Sequence, residues 1–101
     1  MSDLDKARRE EARWRILAGL NSGRPYAVTE TILFRLLHDV KLPLSRLDVR
    51  RELYYLEARG LVKLMDKDGP VWSADLTRDG VDVAEYTVEC DPGIARPPKF
   101  W

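Results

Sequence analysis

The sequence is poor in the residues that most site chemistry needs. It has one cysteine, Cys90, so no disulfide can close within the chain, and one histidine, His38, so a Cys/His zinc site has almost nothing to be built from. Cys90 stands between Glu89 and Asp91, whose charge discourages thiolate formation, and it reads as unreactive. There is no glycine-rich phosphate loop, no metal-ligand spacing and no nucleophile–base arrangement, so we expect no catalytic, cofactor-binding or metal-binding residue and no enzyme. No apolar run approaches the roughly 20 residues of a membrane span. The opening segment MSDLDKARREEARWR is charged and lacks the apolar stretch of a signal peptide, which makes the cytoplasm the expected compartment. Net charge is also lacking. Seventeen basic and 17 acidic residues cancel, which weighs against strong nonspecific attraction to nucleic acid, because that attraction depends on neutralising phosphates. Internal repeats and low-complexity segments are absent.

What is present is an ordinary globular balance. Hydrophobic residues at 45% and charged residues at 34%, over 101 positions, argue for one small folded domain rather than disorder. Residues 3–20 read as a first helix, with Asp3 or Asp5 serving its N-terminus, Ala12, Ile16 and Leu20 forming a buried stripe, and Trp14 off that stripe. Asn21 to Pro25 then turns the chain. A second helix over 29–40, capped by Thr29, buries Ile32, Leu33, Leu36, Leu37 and Val40. After Leu42-Pro43-Leu44, Ser45 opens a third helix over 46–59 that Gly60 ends. Its inward face is Val49, Leu53 and Leu56; its outward face carries Arg46, Arg50, Arg51, Tyr54 and Ala58. Two apolar runs, 61–65 and 71–76, around Asp68-Gly69 predict a hairpin with Trp72, Ala74 and Leu76 on one face. Thr77 caps a short last helix over 78–86. Helix, helix, helix, hairpin is the order of a winged helix-turn-helix. The expected class is therefore α+β, mostly α, with residues 1–87 as the domain and 88–101 as an extended, proline-containing tail.

The stretch LSRLDVRRELYYLEARGLV, the hairpin after it and WSADLTRDGVDVAEY resemble small winged-helix proteins encoded in Mu-like phages and prophages. RWRILAGLNSGRPYAVTETIL upstream resembles the same family, and ECDPGIARPPKFW resembles its short proline-containing tail, so the likeness covers nearly the whole chain. The third-helix and Leu-Thr-x-x-Gly pieces are common to many winged-helix regulators. The resemblance implies a phage-encoded transcriptional regulator at work in a bacterial host.

In such a frame the N-terminal half of the third helix faces base edges in the major groove. Ser45, Arg46, Arg50 and Arg51 occupy that half, and Tyr54 follows one turn later. The arginine fork suits guanine O6/N7 and phosphate, and Ser45 suits a phosphate oxygen. Lys63 and Lys67 on the hairpin are candidates for a neighbouring phosphate, although Asp66 and Asp68 flank Lys67. The charge distribution agrees. Residues 41–63 hold six basic and three acidic side chains, whereas 75–91 hold Arg78 against six acidic ones. The opposing reading is a solvated helix face on which Arg46, Arg50 or Arg51 pairs with Asp48, Glu52 or Glu57. The expected partner is double-stranded DNA, met as a homodimer formed through the first helix or the tail. The alternative is a non-enzymatic adaptor that binds a phage or host protein, for which the zero net charge and the acidic 75–91 segment speak.

Overall fold

The computed structural model describes residues 2–101. Helix α1 (Asp3–Gly23) is capped by Ser2, whose Oγ accepts from the Asp5 N–H at 3.1 Å; Asp3 and Asp5 lie in the first turn instead of capping it. The helix also runs three residues past its expected end, through Asn21 and Ser22, because nothing before Pro25 removes a backbone donor. Ala12, Ile16, Leu17 and Leu20 line its buried side. Strand β1 (Val28–Thr29), too short to leave a period in the sequence, comes next. Thr29 then caps α2 (Glu30–Asp39), accepting from the Ile32 N–H at 3.3 Å. Leu33 and Leu37 take the core positions of α2, which turns Ile32 outward to 56% exposure, against the expected buried face.

Helix α3 (Arg46–Ala58) begins in a reciprocal cap. The Asp48 N–H donates to Ser45 Oγ at 3.0 Å, and the Ser45 N–H donates to Asp48 Oδ2 at 3.3 Å. Val49, Leu53 and Leu56 are buried, and so is Glu52. Strands β2 (Val62–Met65) and β3 (Ser73–Leu76) form the expected hairpin, and β1 adds to the far side of β3, giving a three-stranded antiparallel sheet of order β1-β3-β2. The second strand starts at Ser73 rather than Val71, because Trp72 is turned toward α2: its C=O accepts from the Glu30 N–H at 2.8 Å. About half of the described residues are helical, in an α+β arrangement.

Helix α4 (Arg78–Ala84) is where the Leu-Thr-x-x-Gly piece acquires a physical meaning. Thr77 Oγ1 accepts from the Gly80 N–H at 3.1 Å and donates to the Gly60 C=O at 2.6 Å, while the Thr77 N–H reaches the Leu61 C=O at 3.1 Å. Gly80 packs so close that a Cβ would overlap the Leu61 carbonyl oxygen. The end of α3, the start of β2 and the start of α4 are thus joined through Thr77 and the close approach of Gly80.

The tail folds back over the domain. Ile94 is buried, the Ala95 N–H donates to the Glu10 C=O at 3.0 Å, Arg13 Nη1 donates to the Gly93 C=O at 2.8 Å and Arg59 Nη2 to the Pro92 C=O at 3.1 Å. Gly93, at φ 103°, lies against the Tyr55 hydroxyl, which a Cβ would overlap. Arg96 Nη1 donates to the Val83 and Val88 carbonyls at 3.0 and 2.9 Å. Trp14 spends its off-stripe face within the chain, meeting Tyr86 edge-on at 5.8 Å.

Candidate nucleic-acid interface

Because Val49, Leu53 and Leu56 fix α3 against the core, Arg46, Leu47, Arg51 and Tyr54 are left facing away from it. Arg51 is 61% exposed, and its nearest acidic partner is Asp48, one turn back at 3.7 Å. Arg46 is exposed, donates to Thr31 Oγ1 at 3.2 Å and lies over the Phe34 ring at 5.2 Å. Tyr54 is 50% exposed and meets Trp72 edge-on at 5.0 Å. Ser45 is exposed too, with its hydroxyl engaged in the α3 cap.

Arg50 departs from the sequence expectation. It does not project outward with the other two arginines. Its Nε donates to both oxygens of Glu30 (2.9 and 3.1 Å), Nη2 donates to Glu30 Oε2 at 2.9 Å and to the Pro70 C=O at 3.2 Å, and the guanidinium stacks 4.4 Å over Trp72. The partner is neither Asp48, Glu52 nor Glu57 of its own helix but a carboxylate on α2, only 3% exposed. Glu30 also accepts the Trp72 N–H at 2.6 Å. Burial alone would raise the Glu30 carboxyl. The hydrogen bonds from Arg50 and the Trp72 N–H, with the charges of Arg50 and Arg46, outweigh it and hold the group below the usual carboxylate range. This cluster clamps α2, α3 and the hairpin loop, just before β3, together.

On the hairpin, Lys63 is exposed on β2 opposite Asp75. Lys67 bends toward α3, with Nζ 3.2 Å from Glu57 Oε1 and 5.4 Å from the Tyr54 ring centre. Arg46, Arg51, Tyr54 and Lys67 therefore share one side of the molecule with the hairpin loop, while Arg50 is spent on internal support. Two features of this face escaped the sequence reading. Glu30 carries no local signal. Leu47, 68% exposed, was legible: it lies off the Val49–Leu53–Leu56 stripe and near Arg51 by helical spacing.

The opposite side of α3 is occupied by the chain itself. Glu52 accepts from Arg13 Nε at 2.7 Å, and Arg13 stacks 3.6 Å over Tyr55 beneath the folded tail. The Cys90 thiol is pushed up, mainly by burial, with Asp91 adding to it and Arg96 and Arg59 opposing. Among the described residues no group of three or more His, Cys, Asp or Glu side chains comes together to hold a metal, and no helix is long and apolar enough to cross a membrane. No family model, curated protein or solved structure matches this chain.

Proposed function

We propose that the chain is a winged-helix DNA-binding protein that sets the N-terminal half of α3 into the major groove and rests its β2–β3 hairpin, the wing, on the flanking backbone. The reading draws on the element order α1-β1-α2-α3-β2-β3 and the pairing of β1 with β3. The observation that carries it is the face of α3: Arg46, Arg51 and Tyr54 are exposed there, beside the hairpin, on a helix whose other side is sealed. Arg51 is suited to a guanine edge, Arg46 and Ser45 to phosphates, Tyr54 to a sugar or base, and Lys63 and Lys67 to phosphates beside the wing. The resemblance of the sequence to Mu-like phage proteins supports the role of a phage or prophage transcriptional regulator in the host cytoplasm. A homodimer on a palindromic site would double a small footprint.

One observation favours a second reading, a protein adaptor: Ile32, Leu47 and Val71 expose apolar surface on a chain with no net charge. A fluorescence anisotropy titration with random duplex fragments separates the two. DNA binding that is present at about 50 mM salt and weakens steeply toward about 200 mM is the expected result. No binding even at the lower salt would reject the DNA reading in favour of the adaptor.

A further inference from the structure

Leu47, Arg51 and Tyr54 stand four and three positions apart, so they form one stripe along α3, and all three are at least half exposed. With Arg50 and Trp72 they line an open depression of about 370 Å³. A single exposed leucine is ordinary in itself. This one sits in the first turn of α3, between Arg46 and Arg51, and its neighbours in the depression are two guanidinium groups and two aromatic rings, with no carboxylate among the lining residues. The exposed Arg51 guanidinium suits an anionic partner, Arg50 being paired with Glu30, and the leucine calls for an apolar group on it. The major groove of DNA offers such a combination, because the thymine C5-methyl is the apolar group displayed beside the hydrogen-bonding base edges.

Resting on the DNA-binding reading above, we infer that Leu47 and Arg51 together set sequence preference, Leu47 against a thymine methyl and Arg51 against a guanine O6/N7 edge close by. Side chains four apart on a helix have Cβ atoms about 5–6 Å apart. Bases on one strand rise about 3.4 Å per step. The two contacts therefore fall one or two base steps apart. Arg50 lacks the parallel donor pair that bidentate guanine reading uses, because its Nε and Nη2 hydrogens are committed to Glu30 and to the Pro70 carbonyl. It is a positioning residue that sets the angle between α3 and the hairpin.

The test begins with duplexes selected by the wild-type protein from a random library. Each thymine of the selected site is then replaced, one at a time, by deoxyuracil, which removes only the methyl and leaves the protein untouched. Wild type should bind about fourfold more weakly at one or two of these positions. Leu47→Ala should bind both versions equally, and Arg51→Ala should lose about tenfold or more in preference for the nearby guanine. Arg50→Ala should weaken all sequences alike and keep the methyl effect. If wild type is indifferent to every uracil, or Leu47→Ala still senses the methyl, the assignment falls while DNA binding stands. If wild type selects no duplex at all, the DNA-binding reading falls and takes this inference with it.

Discussion

Replacing Glu30 by alanine removes the acceptor on which Arg50 and the Trp72 backbone converge. The carboxylate is 3% exposed and takes three hydrogen bonds from Arg50 and one from the Trp72 N–H. A hydrogen bond to a charged group contributes about 1.5–3 kcal/mol, and a buried N–H left without an acceptor costs about 1–3 kcal/mol. Arg50 is 32% exposed and recovers water when released, so the loss stays below the full value for breaking a sealed pair. The expected destabilisation of Glu30→Ala is about 2–4 kcal/mol, read as a lower urea midpoint at unchanged slope. Acid provides a second check. The Glu30 carboxyl is held below its usual value of 4.5 in the folded chain. Its contribution is complete above that value and fades as pH falls through the lower, folded one. The gap between wild type and Glu30→Ala should therefore be widest at neutral pH and narrow on acidification below 4.5. A loss under about 0.5 kcal/mol at neutral pH, the range of ordinary surface changes, would refute the claim that this carboxylate holds α2, α3 and the hairpin together.

Gly80→Ala forces a Cβ into the Leu61 carbonyl, a backbone atom that cannot step aside, and should lower the melting temperature followed by circular dichroism on the order of 10 °C. Ile94→Ala should cost about 2 kcal/mol in urea unfolding, the low end for a buried aliphatic residue, because the tail contributes to the core instead of trailing from it. Alkylation of Cys90 by iodoacetamide at mildly alkaline pH should be slower than that of glutathione and should accelerate when the chain is unfolded in urea, since burial raises the thiol in the folded state.

The parts of the fold that were legible in the sequence are those governed by local chemistry. Thr29, Ser45 and Thr77 mark helix starts because a side-chain oxygen there satisfies an N–H within three residues, and all three do so. The α3 stripe Val49–Leu53–Leu56 shows because helical spacing is a property of one segment. What stayed hidden depends on residues far apart. Strand β1 exists because Val28 and Thr29 meet Ala74 and Ser73, and two residues leave no alternation to detect. Helical spacing sets Arg50 only against acids on its own helix, whereas its partner lies on α2. The Glu52–Arg13 pair joins α3 to α1 in the same way, and both acids look like surface residues until the fold closes over them. The tail's prolines exclude a helix, yet say nothing of where Ile94 docks.

Two of the anchorages of α3 have a consequence for anything that meets its outer face. At its front, Arg50 ties it to Glu30 and Pro70; at its rear, Thr77 and Gly80 bolt the Gly60–Leu61 backbone to α4. A helix so fixed has little freedom to tilt or to shift along its axis, so accommodation falls to the other side of the contact. On the proposed DNA-binding reading, any bend that the contact needs would be supplied by the duplex, and pliant pyrimidine–purine steps would supply it at lower cost than stiff adenine tracts.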